Sequence, residues 1–217
     1  MKKLLIILAI MMAVSMTSSS WAFYMDFEEG LGNDGANIVG IPGVTFTTSA
    51  GLPWVYGDSN TGSYNTHSVD LNLWFGSYNH YGYVFAWLGV SGNWGRIDFT
   101  DQNGTWFQTG VCSASTFTAD AYDDTDNIID TATLPSGNLG WPNVTDMAWL
   151  RVDAPVGKTI SYIIMHDSGN YWEVDNMTGD MAGGTQPIPE PGTLLLLGAG
   201  LVGLVGYGKL RLQRRKK

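Results

Sequence analysis

The stretch "STFTADAYDDTDNIIDTATL", Ser115–Leu134, decides the fold. Phe117, Ala119 and Ala121 alternate with Thr116, Thr118 and Asp120, a period of two that fits a strand and not a helix. The acidic, turn-forming run Asp123–Asn127 interrupts the alternation, and "IIDTATL" then resumes with β-branched residues. The segment reads as a hairpin of two strands with one apolar and one polar face.

The same texture extends in both directions. "VTFTT" (44–48), "SVDLNLWF" (68–75), "GYVFAWLGV" (82–90), "GRIDFT" (95–100), "DMAWLRVD" (146–153), "TISYIIMH" (159–166) and "YWEVDNMT" (171–178) are rich in β-branched and aromatic residues. Gly, Asn, Asp and Pro separate them at short intervals, and no stretch from 23 to 186 keeps a helical period. About ten short strands predict an all-β protein, a single antiparallel β-sandwich of jelly-roll-like form.

The two ends differ from this body. Lys2 and Lys3, an apolar run to about Val14, and Ser20 and Ala22 at the −3 and −1 positions predict a signal peptide over 1–22. The sandwich is assigned to 23–179, and a short linker to 180–188. In 189–217, Pro189-Glu190-Pro191 is held out of helical space by its prolines. An uncharged run, 192–208, follows, long enough as a helix to span about 25 Å of bilayer. Lys209, Arg211, Arg214, Arg215, Lys216 and Lys217 form a basic tail that stays on the cytoplasmic side. The body is therefore expected outside the cytoplasmic membrane, held at first by its tail.

The tripeptide, the apolar run directly after it and the basic end together resemble the PEP-CTERM sorting signal of exported bacterial proteins. The resemblance implies Pro189, Glu190 and Pro191 as the sorting motif and an exosortase as partner. It implies transient anchoring and then delivery to the cell surface or outside the cell, often in a polysaccharide or biofilm matrix. The same tail signature is sometimes labelled an ice-binding protein C-terminal domain, a label that concerns the tail and not this body. "MDFEEG" (25–30) and "YWEVDNMT" also resemble the opening and closing strands of jelly rolls of carbohydrate-binding-module type.

Charge narrows the function. Eight of the eleven basic residues lie in the terminal signals. Between 23 and 188 only Arg96, Arg151 and Lys158 stand against nineteen acids, a net of −16. Such a body repels nucleic acid and anionic lipid. A single cysteine, Cys112, cannot form an internal disulfide and reads as a small buried hydrophobe. His67, His80 and His166 are scattered, and no nucleophile elbow, zinc motif or phosphate loop is present.

Two binding chemistries remain. Hard cations take several oxygens, so Asp26, Glu28 and Glu29 near one end, with Glu173, Asp175 and Asn176 near the other, predict a structural calcium ion if the terminal strands pair. Asp175 is the first residue to test. "YDDTDN" (122–127) offers more carboxylates but reads first as a solvated acidic turn. Aromatics crowd "WFGSYNHYGYVFAW" (74–87), where Tyr78, Asn79, His80 and Tyr81 read as a loop suited to stacking on and hydrogen-bonding extracellular polysaccharide. The expected role is structural or adhesive, with polysaccharide as ligand. The alternative is a surface glycoside hydrolase, which needs two facing carboxylates.

Overall fold

The computed structural model describes residues 21–181, apart from 72, 75, 91, 101–103, 137–145 and 170–171. Of the expected signal peptide over 1–22, residues 1–20 lie outside the described residues, as do the sorting motif, the apolar run and the basic tail, whereas Trp21 and Ala22 belong to the first strand. Among those described, no helix is long and apolar enough to cross a membrane.

The body is built almost wholly of strands. In chain order they are β1 (Trp21–Met25), β2 (Val44–Thr48), β3 (Val55–Asp58), β4 (Thr66–Ser68), β5 (Leu73–Trp74), β6 (Tyr78–His80) and β7 (Val84–Trp87). There follow β8 (Gly95–Phe99), β9 (Trp106–Ser113), β10 (Phe117–Tyr122), β11 (Ile128–Leu134), β12 (Ala148–Asp153), β13 (Tyr162–Asp167) and β14 (Trp172–Met181). One sheet runs β12-β9-β14-β7-β3, with β1 also paired to β14, and a second runs β11-β10-β13-β8-β2. Every pairing within these two sheets is antiparallel, the expected sandwich. A third, small sheet, β5-β4-β6, contains a parallel pair.

The hairpin forms as read. Phe117 pairs with Leu134 and Ala121 with Asp130, with a bulge before Tyr122. Phe117, Ala119 and Ala121 are fully buried, while Thr118, Asp120 and Tyr122 keep partial exposure. Residues 124–127 of the turn are exposed, as expected of a solvated acidic loop, and only Asp123 departs from that reading. Asp123 is buried, and its Oδ1 accepts from the Thr125 N–H (3.0 Å), the Thr125 hydroxyl (2.7 Å) and the Asn127 N–H (3.1 Å). Its Oδ2 takes Lys158 Nζ at 2.8 Å, and these partners hold the carboxyl well below the usual carboxylate range. Asp126 occupies the left-handed region at φ 61°, which Asp tolerates better than most residues.

Aromatic rings fill the space between the two large sheets. Trp54 contacts Phe46 and Trp172, both at 5.4 Å between centroids, and Trp172 contacts Phe117 at 5.1 Å. Along β7, Val84 and Ala86 face this core, whereas Phe85 and Trp87 point to the opposite side, toward Tyr64. That second aromatic face positions the site.

Candidate functional site

The two ends of the body meet, because β1 and β14 pair from Trp21↔Met181 to Met25↔Met177. The strand reading of "MDFEEG" stops at Met25. Phe27 sits in the left-handed region at φ 59°, with its ring fully buried, and Glu28–Gly30 form a single 3-10 turn. This turn sends Glu28 and Glu29 to different places. Glu28 Oε1 accepts from the Tyr83 and Val84 N–H groups at 2.8 and 2.9 Å. Glu29 instead accepts the Tyr56 hydroxyl at 3.0 Å, and burial together with that acid pushes Tyr56 up to about 12.

Asp175 joins Glu28 at the same backbone segment. Tyr81 N–H donates to Asp175 Oδ2 (2.8 Å), and Gly82 N–H donates to Asp70 Oδ1 (2.8 Å). Four successive N–H groups, 81 to 84, thus meet three carboxylates from three parts of the chain. Gly82 is required here: at φ 56° an added Cβ would lie 2.2 Å from Glu28 Oε1. Burial, and then the neighbouring Glu28 and Asp26, still raise Asp175 well above its ordinary value. Asp26 lies close enough to repel Glu28 and Asp175, yet among the described residues no three His, Cys, Asp or Glu side chains are gathered as a metal cage.

The structure corrects the aromatic loop. Tyr78–His80 is strand β6, hydrogen-bonded parallel to β4, and Asn79 and His80 are fully buried. Asn79 is spent internally, its amide donating to the Asp146 carbonyl at 2.9 Å. Tyr81 turns to the protein surface, where its ring lies 6.5 Å from Trp149 and its hydroxyl donates to Asp146. Of the four, Tyr78 lines the cavity beside β7.

That cavity, of about 520 Å³, lies where the third sheet, β7, the 89–93 loop and the start of β14 come together. The Tyr64 ring stands nearly perpendicular to both Phe85 (5.2 Å, 84°) and Trp87 (5.8 Å, 80°). Tyr64 donates to Asp34 Oδ1 at 2.6 Å, which fixes the ring. Trp172 and Glu173 close the cleft, with Thr66 beside them. Trp172 Nε1, Glu173 Oε1 and Thr66 Oγ1 are buried and have no hydrogen-bond partner among the described residues.

Glu173 is the unusual member. It is 4% exposed, and burial and then Asp175 raise its carboxyl well above the ordinary value. Alternation along β14 does place Trp172 and Val174 in the core, but the opposite face is covered rather than open. A carboxyl raised on folding contributes stability that is complete below its unfolded value, about 4.3, and is lost as pH rises through its folded value. Glu173→Gln is therefore expected to melt higher than the wild type at pH 7 to 8, with the difference shrinking below pH 4. Melting curves across that range check it.

Cys112, opposite Glu173 in the register, is buried, and burial pushes its thiol up, as for an inert core residue. His67 and His80 belong to the third sheet, while His166 lies on β13 beside Asp120.

Residues 187–211 match the PEP-CTERM protein-sorting motif. The motif indicates export, handling by a sorting enzyme, and a destination at the surface or outside the cell. No curated protein matches the chain. Among solved structures, the K2 cleaved adhesin domain of Lys-gingipain is 14% identical over 73% of this chain and 97% of that one, with a TM-score of 0.41. A family 29 carbohydrate binding module variant is 10% identical, covering 77% and 99%, at 0.34. The lectin binding domain of lectinolysin, complexed with Lewis b, is 11% identical, covering 76% and 94%, at 0.32.

Proposed function

We propose that this is an exported surface or matrix protein with a structural or adhesive role, which holds extracellular polysaccharide in the cleft between Tyr64, Trp87 and Glu173. One observation carries the reading: Trp172, Glu173 and Thr66, three residues that line an aromatic cavity, each have a buried polar atom with no partner among the described residues. Unsatisfied buried groups are costly, and a ligand with hydroxyl groups would satisfy them. Sugar rings also present flat apolar faces that match Tyr64 and Trp87. A hydrolase needs a second carboxylate facing Glu173. Among the described residues, Glu173 is the only acid lining the cleft, and Asp175 is tied to the Tyr81 and Asn176 N–H groups.

The test is a glycan array probed with the full-length protein in detergent. Trp87→Ala and Tyr64→Ala are expected to weaken any hit about tenfold, the scale of one aromatic contact. Tyr81→Ala should leave it unchanged. An array without hits, or hits lost only in Tyr81→Ala, would remove the cleft from the account.

With this goes a proposal about stability. A calcium ion near Asp26, Glu28 and Asp175 would offset the repulsion among these acids, provided their side chains rotate to grip it. Its signature is a melting midpoint that rises with calcium, falls with chelator, and loses that response in Asp175→Ala. Identical wild-type midpoints in both solutions would exclude it.

A further inference from the structure

We propose that the polysaccharide taken by the cleft carries free amino groups, with the ammonium seated between the Tyr64 and Trp87 ring faces and the Glu173 carboxylate. The proposal rests on the glycan reading of the same cleft and names the class of sugar.

Charge accounting leads there. The body has three basic side chains, and each is engaged elsewhere. Arg96 pairs with Asp98, Arg151 with Asp153 and Lys158 with Asp123. No basic side chain lines the cleft. Among the described residues, Glu173 is thus a buried acid without a counter-charge, and its Oε1 has no donor. If the ligand were a neutral sugar, glutamine at this position would donate and accept equally well without the burden of a buried acid. What the acid adds is the capacity to become negative when a cation arrives.

The rings point the same way. The faces of Tyr and Trp attract a cation, and the perpendicular Tyr64–Trp87 arrangement offers two sides of an aromatic cage. Asp34, hydrogen-bonded to the Tyr64 hydroxyl, adds electron density to that corner. The net charge of −16 over 23–188 draws in cationic polymers and repels polymers of uronic acids. An acetylated amine has neither charge nor ammonium donors, so acetylation should abolish the advantage.

The experiment measures calorimetric binding of three tetrasaccharides to the full-length protein in detergent at physiological salt. They are glucosamine with free amines, its fully N-acetylated form, and a glucose tetramer, at a pH where the amines are protonated. The free-amine tetramer is expected to bind at least about tenfold more tightly than the other two, the scale of one charge-assisted hydrogen bond. Glu173→Gln should bring the free-amine tetramer down to the affinity of the other two, which it leaves unchanged. Trp87→Leu, which leaves the acid in place, should also lose the amine preference. Equal wild-type affinities would overturn the inference and leave the glycan reading standing. A preference that persists in Glu173→Gln would assign it to diffuse surface charge and overturn the inference too. No binding of any tetramer, together with a glycan array without hits, would overturn both.

Discussion

Replacing Pro189, Glu190 and Pro191 together with alanine is expected to leave essentially all of the protein as uncut precursor in the membrane fraction. Proline disfavours helix at its own position and at the one before it, so the backbone around Glu190 is expected to stay extended and open to a sorting enzyme. Alanine removes that restraint, so that a helix formed by the apolar run would be free to extend through the motif and withdraw it. The match to the sorting motif over 187–211 makes these the residues to change. The wild-type protein released from cells should have an intact mass lacking the segment from Gly192 to Lys217. A released form that still carries the basic tail would contradict the sorting account and leave a plain membrane anchor.

Trp54→Ala is expected to cost about 3–5 kcal/mol of folding stability. Trp54 is fully buried, packs on Phe46 and Trp172, and donates from Nε1 to the Thr47 carbonyl at 2.9 Å. Gly95 lies so close that an added Cβ there would stand 2.2 Å from the indole. No neighbour can fill the vacated volume, since the surrounding rings are fixed by one another. For a domain of this size the midpoint should fall by on the order of 10 °C. Trp172 would also lose its neighbour, so ligand binding in the adjacent cleft should weaken. Urea and thermal unfolding check the first claim, and a loss below about 1 kcal/mol would show that the core is organised around other rings.

The sandwich was legible because period-two alternation acts locally. Phe117, Ala119 and Ala121 mark a buried face whatever packs against it, and a bulge alters only the strand's end. The meeting of the ends entered only as a condition of the calcium reading, and the pairing of β1 with β14 meets that condition. The partners of individual acids were not legible. Asp123 reads as a turn residue, but its pairing with Lys158, 35 positions away, comes from folding. Asp70 gave no sign that it would share the 81–84 segment with Glu28 and Asp175.

The third sheet defeated local reading most. "SYNHYGY" carries the residue types of a loop, yet parallel pairing with β4 makes Tyr78–His80 a strand and buries Asn79 and His80. The same sheet covers the outward face of β7 and β14. It thereby turns Phe85, Trp87 and Glu173 from a solvent-facing row into the wall of a cleft. A clue was present in "VFAW", where both alternate sets are apolar, as befits a strand covered on both faces. Tyr64 and Thr66 carried no comparable signal.

The cleft is tested most directly by a crystal structure of the protein soaked with the tightest-binding oligosaccharide from the array. The account predicts a sugar ring against Trp87 and Tyr64, with polar atoms of the ligand within hydrogen-bonding distance of Glu173 and Trp172 Nε1. An empty cleft with the sugar held on the outer surface at Tyr81 and Trp149 would contradict it.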